Sequence, residues 1–440
     1  MPISITNALK WLNGFTDYEK TTSYSYNAAY FDLKRMECLL NLLGAPHKRL
    51  PCIHITGTKG KGSTAYFASS ILSAAGLKTG LYTSPHIISM NERIKIDGRD
   101  ISSMKIAKLA PDLRVAVGKL VKTRFGQPTY FEVYTALAFL HFKRSNCRAV
   151  VLEVGMGGRL DATNVINPLV SVITPVSLDH VKELGETLAK IAGEKAGIIK
   201  RFVPCVIGRQ EEAALRVILA KAKSTASRVI QFGKEFSISS LKASARGNIF
   251  NLSTPFASYK GLSIKMIGAH QTENAALAVC AAESALASLG LAERTERAVK
   301  DGISLVKLPG RLDYRPGHPA LLLDAAHNEA SAKVLRKAVK DFFPGKKLIL
   351  VLGMSVNKDI EGVRKILFPL ADKVIAVKSS NYRSASPEEV LGNYEGRAFQ
   401  TVKEGMKEAW RLAGKNSLIV VTGSFYVLSD VYLSGGLNRH

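Results

Sequence analysis

The segment 54–64 combines a short apolar lead-in with a glycine-rich turn, in the order His-Ile-Thr-Gly-Thr-Lys-Gly-Lys-Gly-Ser-Thr. Glycines let successive backbone amides face one centre, and a helix that starts there adds its positive end. A helix-forming run over 65–72 follows directly. Lys61 could neutralise the outer phosphates of a nucleoside triphosphate, and Ser63 or Thr64 could reach magnesium. One glycine separates lysine from hydroxyl, unlike the common G-x-x-x-x-G-K-[ST] loop, and a solvated turn is the alternative interpretation.

The composition indicates an ordinary globular protein. The 440 residues are 46% hydrophobic and 22% charged, and no apolar run reaches the roughly 18 residues of a membrane helix. The start, Met-Pro-Ile-Ser, lacks a secretory pattern, and the five cysteines include no C-x-x-C pair, so we expect a cytoplasmic protein with reduced thiols. The net charge of +25 favours anionic partners. The basic residues are dispersed, however, so we expect neither nucleic acid nor membrane as a partner.

Short apolar strands alternate with helical stretches and predict an α/β fold whose N-terminal part is a doubly wound, mostly parallel sheet. The strands predicted for this sheet are 52–55, 78–82, 149–154, 169–173 and 203–207. A small, more polar β-rich excursion is predicted from about 229 to 266, and a helix over 270–287. Leu-Pro-Gly-Arg at 308–311 is typical of a hinge. The strands predicted beyond it are 320–323, 347–352, 373–377 and 417–422. We therefore expect domains at 1–306 and 307–440.

Two predicted strands of the first domain are followed by possible metal ligands. Glu153 ends the apolar run 149–153, and ligands of open α/β sheets bind beyond the carboxyl ends of strands. Beside a phosphate-binding loop, such a carboxylate suits the magnesium ion of the nucleotide, with a surface charge as the alternative. His180 follows the strand-like run 170–174 and is either a second ligand or a structural histidine.

Lys195 continues the apolar stripe of a predicted helix over 188–196. A lysine on a core-facing stripe must extend its amine to solvent, pair with a carboxylate or lose its proton. The first two outcomes are purely structural. A neutral amine could instead react with carbon dioxide to give a carbamate, an anionic oxygen ligand suited to a second magnesium ion.

Two helix starts also carry polar residues. The Thr-Tyr-Phe-Glu segment at 129–132 has the T-x-x-E spacing of a capping box, so Glu132 either caps the helix or contacts a substrate. In the second domain, Asp324 follows an apolar run and precedes His327 and Asn328, and Asn328 could cap the next helix. If the active site lies between the domains, Asp324 and Arg311 become nucleotide contacts.

Taken together, these segments resemble the folylpolyglutamate synthase family, with its bifunctional dihydrofolate synthase members, in the Mur ligase superfamily. The matching segments extend from about residue 25 to 430, and their order makes them far more specific than the glycine-rich loop alone. They are 54–64, 84–86, 129–132, 152–165, 179–185, 193–199, 268–276, 309–314, 322–328 and 422–425.

The resemblance implies an N-terminal ATPase domain, a Rossmann-like C-terminal domain and an active site between them. It implies an enzyme that joins L-glutamate to dihydropteroate or folates, with ATP as co-substrate and magnesium at two sites. We also expect the protein to be a monomer. The implied ATP contacts are Lys59, Gly60, Lys61, Gly62, Ser63, Asn274, Arg311 and Asp324. The implied magnesium ligands are Ser84 and Glu153 at one site and His180 and carbamylated Lys195 at the other. The implied pterin contacts are Thr129, Tyr130, Phe131, Glu132, Leu160, Asp161 and Ala162.

His327 is a further expected contact, with glutamate or between the domains. The catalytic residues expected from the resemblance are Lys61, Glu153, His180 and Lys195. One departure is Lys59, where the family usually has asparagine. The segment Arg-Leu-Asp-Ala-Thr-Asn at 159–164 resembles the bifunctional members. Alternatives are a monofunctional folylpolyglutamate synthase, another Mur-type amide ligase, or a nucleotide-binding switch.

Overall fold

The computed structural model describes residues 4–17 and 31–437. Within these residues, an eight-stranded sheet forms the core of the N-terminal part in the order β4-β3-β2-β5-β1-β6-β7-β8. Its strands are β1 Cys52–Thr56, β2 Thr79–Tyr82, β3 Ile94–Ile96, β4 Arg99–Asp100, β5 Ala149–Glu153, β6 Val170–Ile173, β7 Cys205–Ile207 and β8 Val229–Gln231. Among these strands, β3 pairs antiparallel with both β2 and β4 at one edge, and the other neighbouring strands pair in parallel. The central strands are mostly apolar in sequence because helices cover both faces of the sheet.

Helices cover both faces of this sheet. They are α1 Ile5–Leu12, α2 Leu33–Leu42, α3 Lys61–Ala74, α4 Ser103–Leu120, α5 Tyr130–Arg144, α6 Val181–Leu184, α7 Leu188–Ala196, α8 Glu212–Ser224, α9 Ala269–Ser288 and α10 Thr295–Leu305. On one face α3 packs closely against the alanine-rich α9. On the other, α2, α4 and α5 bury a second apolar cluster. The small side chains of α9 allow this close helix approach.

A separate three-stranded antiparallel sheet follows, with β9 Ser237–Ser244, β10 Gly247–Ser253 and β11 Ser258–Ile264. The predicted start of the β-rich excursion at 229 was wrong. Val229–Gln231 pairs in parallel with Cys205–Ile207 and so completes the large sheet. A strand of three residues is too short for its hydrophobic pattern to indicate which of the two sheets it joins.

The C-terminal part has a six-stranded sheet in the order β12-β13-β17-β14-β15-β16, with β12 antiparallel. Its strands are β12 Asp313–Arg315, β13 Ala320–Leu323, β14 Lys347–Leu352, β15 Lys373–Val377, β16 Arg397–Phe399 and β17 Ser417–Thr422. Its helices are α11 Glu329–Phe342, α12 Ile360–Leu367, α13 Pro387–Leu391, α14 Val402–Leu412 and α15 Phe425–Leu433.

The α/β class is confirmed, with a large parallel-rich sheet and a smaller second α/β unit. Of the predicted strands, 320–323, 347–352, 373–377 and 417–422 match their observed bounds. The expected domain boundary at 306/307 falls in the connection between α10 and β12 and stays a prediction. None of the described helices is long and apolar enough to cross a membrane.

Candidate active site

A cleft of about 1840 Å³ lies between the carboxyl ends of the large sheet and the C-terminal unit. It receives side chains from the glycine-rich loop, from the ends of β2, β5 and β6, and from the 308–311 hinge. Of the predicted site residues, those that line it are Lys59, Gly60, Lys61, Gly62, Ser63, Ser84, Thr129, Tyr130, Phe131, Glu132, Glu153, Leu160, Asp161, Ala162, His180, Asn274, Arg311, Asp324 and His327. Lys195 lies outside this lining.

The glycine-rich loop connects β1 directly to α3. Gly60 precedes the first helical residue, Lys61, and has a φ of +88°, which favours glycine. The first four amides of a helix have no partner within it, so those at the start of α3 are available to an anion. Lys61 Nζ donates to the carbonyl oxygens of Gly57 at 3.2 Å and Thr58 at 3.4 Å. The segment therefore has the geometry expected of a phosphate-binding loop, and its contacts with ATP stay a prediction.

Gly60 also lies against the side chain of Asn274 on α9, so a Cβ there would overlap the amide oxygen of Asn274. We expect Gly60→Ala to weaken ATP binding by roughly tenfold, since backbone strain of ~1–3 kcal/mol would distort the loop. Calorimetric titration with ATP measures the effect. Gly76→Ala is the matched control because Gly76 also has a positive φ, +82°, but lies beyond the other end of α3. Equal ATP affinity in both variants would contradict the prediction.

Glu153 and Ser84 meet beside this loop. The Glu153 side chain is 4% exposed, and its Oε2 accepts a hydrogen bond from the Ser84 amide at 3.1 Å. Burial raises the pKa of the Glu153 carboxyl to about 7, against the opposing effects of Lys61 and the Ser84 amide. A buried carboxylate of this kind gains from a nearby cation. The pair therefore fits a magnesium ion that would also bind phosphate oxygens.

Lys195 is buried beneath the same loop, with an exposed fraction of 4%. Its Nζ donates to the Gly57 carbonyl at 2.8 Å, so Lys61 and Lys195 approach one oxygen from two sides. Burial and the Lys61 cation lower the pKa of the Lys195 amine to about 7. His180 instead starts the short helix α6, with its side chain 53% exposed and Nδ1 4.0 Å from Glu183 Oε2.

Glu132 caps the start of α5. Its carboxylate accepts from the Thr129 amide at 2.7 Å, and Thr129 Oγ1 accepts in return, which completes the capping box. Its oxygens also accept from Arg35 Nε at 2.9 and 3.0 Å. This buried ion pair was missed because Arg35 lies 97 residues away in the sequence.

A buried hydrogen-bond chain orders the loop after β5. His54 Nε2 lies 2.8 Å from Thr163 Oγ1, which donates to Asp161 Oδ1 at 2.5 Å. The other Asp161 oxygen accepts from the amides of Gly155 and Met156 at 3.0 and 3.1 Å. Asp161 thus shapes the cleft wall through backbone contacts. The contact between His54 and Thr163 was not predicted, because a single histidine on a central strand belongs to no motif of characteristic spacing.

The hinge residues join the cleft to the C-terminal unit. Asp324 accepts from the Leu312 amide at 2.8 Å and the Ala326 amide at 2.9 Å, and burial raises the pKa of its carboxyl to about 6. The Arg311 guanidinium lies 4.9 Å from the ring centroid of Phe425 on α15. Asn328 is confirmed as the N-cap of α11. Both Arg311 and Asp324 therefore face the cleft from the predicted positions.

Comparison with protein families gives two matches, the Mur ligase middle domain over residues 55–282 and the Mur ligase, glutamate ligase domain over residues 310–425. The two matches coincide with the two α/β units and meet at the cleft. The fold and the site thus define an ATP-dependent, amide-bond-forming ligase of the Mur type.

The chain is 35% identical to a dihydrofolate synthase/folylpolyglutamate synthase of Bacillus subtilis (strain 168), covering 95% of this chain and 99% of that protein. It is 34% identical to folylpolyglutamate synthase of Lacticaseibacillus casei, covering 94% and 98%. The solved structure of Mycobacterium tuberculosis folylpolyglutamate synthase complexed with ADP matches with a TM-score of 0.87 and 32% identity, covering 99% of each chain. The chain belongs to the dihydrofolate synthase/folylpolyglutamate synthase family, and the expected resemblance is confirmed.

Proposed function

We propose that this ligase uses ATP to join L-glutamate to dihydropteroate and to reduced folates through an acyl phosphate. One observation carries the proposal: a single cleft is lined by the phosphate-binding loop, the Glu153–Ser84 pair, the predicted pterin contacts and the hinge residues. The cleft can therefore hold a nucleotide and an organic acid side by side, as an acyl phosphate requires.

The bond changes explain why these residues are needed. A carboxylate oxygen of the acceptor attacks the γ-phosphorus of ATP, and ADP leaves. The α-amine of glutamate then attacks the acyl carbon, loses a proton and displaces phosphate. Lys61 and the amides at the start of α3 stabilise the negative charge on the transferred phosphoryl group. Arg311, Asp324 and Asn274 orient the nucleotide, and Phe131 offers an aromatic face to the pterin.

Ser84 and Glu153 are the residues that would hold one magnesium ion, which when bound would supply positive charge to the phosphate oxygens. We assign a second magnesium position to His180 and Lys195. At a pKa of about 7, much of the Lys195 amine is uncharged near neutral pH. Its lone pair can attack carbon dioxide, with one proton released to water and a carbamate left on Nζ.

The test is ADP release measured with glutamate and three acceptor conditions: dihydropteroate, tetrahydrofolate and no acceptor. We expect turnover with each acceptor and none without. Glutamate-dependent turnover without any folate, or no turnover with either acceptor, would contradict the proposal. Turnover with tetrahydrofolate alone would assign the monofunctional alternative.

We further propose that the protein is a cytoplasmic monomer with small-molecule substrates. The described residues include no membrane-spanning helix, and the cleft is formed within one chain. Light scattering after size-exclusion chromatography would measure the mass against the 47.7 kDa chain.

A further inference from the structure

The loop between β2 and β3 runs from the nucleotide site to the C-terminal unit. At one end, the Ser84 amide donates to Glu153. Three residues later, Ile87 packs against the apolar cluster of the C-terminal sheet, which includes Leu428 on α15. The remaining members of this cluster come from the C-terminal unit. Ile87 is therefore an apolar contact between the triphosphate site and the second domain.

The 308–311 hinge passes next to Ile87, where Ile87 meets the C-terminal unit. A Cβ on Gly310 would lie 2.7 Å from Leu428 Cδ1 and 3.4 Å from Ile87 Cδ1. Gly310 also has a φ of +70°, so both the backbone conformation and the lack of space favour glycine. The Ile87 side chain is thus positioned beside the hinge and α15 together.

The loop is braced internally. The Glu92 carboxylate accepts from three successive amides, those of Ile87 at 2.9 Å, Ile88 at 2.7 Å and Ser89 at 2.8 Å. At its base, the Thr83 amide donates to the Arg93 carbonyl at 3.0 Å. Hydrogen bonds therefore hold the loop at its base, at Ser84 and over the three residues from Ile87 to Ser89, with two residues between Ser84 and Ile87.

We propose that Ile87 is a positioning residue that couples docking of the C-terminal domain to the geometry of the Ser84–Glu153 site. When the domain is docked, Leu428 and Gly310 hold Ile87, and the braced loop holds the Ser84 amide against Glu153. The acyl phosphate is then formed only while the C-terminal domain is docked against the cleft. This inference rests on the proposed function, because the coupled steps are phosphoryl transfer and amide formation.

The test compares Ile87→Ala with Ile88→Ala, since the neighbouring Ile88 is 44% exposed. For Ile87→Ala we expect kcat for the amide product to fall roughly 10- to 100-fold, as a misplacement of about 1 Å would cause. The ratio of ADP released to amide formed should rise above one, because the acyl phosphate would be hydrolysed. The KM for ATP should rise by a much smaller factor than kcat falls, because the glycine-rich loop is untouched while the Ser84–Glu153 pair and domain docking make smaller contributions to ATP binding. Ile88→Ala should behave as wild type.

A conservative substitution at position 87 distinguishes a positioning role of Ile87 from a general loss of stability. Ile87→Val keeps the branched side chain and should recover most of the coupling. Gly310→Ala should reproduce the uncoupling, because its Cβ would overlap Leu428 Cδ1 and so displace a member of the apolar cluster against which Ile87 packs. Equal ADP-to-amide ratios in Ile87→Ala and Ile88→Ala would overturn the inference. So would a rise in the KM for ATP that matches the fall in kcat, because that would indicate general collapse of the site.

Hydrogen exchange does not depend on turnover, so it can test this inference separately from the proposed function. In wild type, a non-hydrolysable ATP analogue should slow hydrogen exchange of the amides in Phe425–Leu433, and Ile87→Ala should abolish that protection. Such protection in an enzyme with no folate-dependent turnover would support the coupling and contradict the proposed substrates. Identical exchange in wild type and Ile87→Ala would contradict the coupling alone.

Discussion

Lys61→Ala is expected to lower ATP-dependent amide formation by roughly a hundred- to a thousandfold, the usual loss when one charge-stabilising donor is removed from a transition state. Lys61 lies in the first turn of α3, and its Nζ already bridges two carbonyls of the phosphate-binding loop. The ammonium is therefore held beside the amides at the start of α3, to which we assign binding of the transferred phosphoryl group. Steady-state ADP release with glutamate and tetrahydrofolate measures the loss.

Lys59→Ala provides the comparison for this prediction. Lys59 is exposed and lines the cleft two residues before Lys61. Its removal should change the KM for ATP by a few-fold at most, because an exposed charge is screened by water. A Lys61→Ala enzyme with near-normal kcat and an unchanged melting temperature would remove Lys61 from the catalytic residues.

Lys195→Ala is expected to abolish most activity, and short-chain carboxylates such as acetate should restore part of it. The cavity left by the side chain lies beneath Gly57 and could admit a small anion in place of the proposed carbamate. Activity is measured with and without added carboxylate. In wild type, ¹³C-labelled bicarbonate should give a carbamate resonance that is missing from the variant.

Lys190→Ala is the matched control, because Lys190 is exposed on the same helix, α7. It should retain full activity and show no response to acetate. Full activity in Lys195→Ala would show that the amine has only a structural role, as a buried donor to the Gly57 carbonyl. Loss of activity without rescue, combined with no carbamate resonance, would also contradict the carbamate.

Much of the fold was predictable because its signals are local. The apolar run at 320–323 and the one within 417–422 became strands with the predicted bounds, since parallel strands buried on both faces need such runs. Val229–Gln231 was assigned wrongly because three residues contain too little pattern to specify a sheet. Whether Glu132 caps α5 or contacts a ligand could not be decided from spacing alone, since its second partner, Arg35, is distant in sequence.

The sequence by itself determined the glycine-rich loop, the helix after it and the strand ending at Glu153, because each depends on hydrogen bonds or periodicity within a few residues. It offered the caps at Thr129 and Asn328 as one of two interpretations each. Only the tertiary structure decided which of these groups meet. Ser84 approaches Glu153 across 69 residues, Lys195 approaches Gly57 across 138, and Ile87 reaches the second domain. Burial and neighbouring charges at these contacts determine the pKa values of Glu153 and Lys195. Both arise from packing between segments that are distant in the sequence.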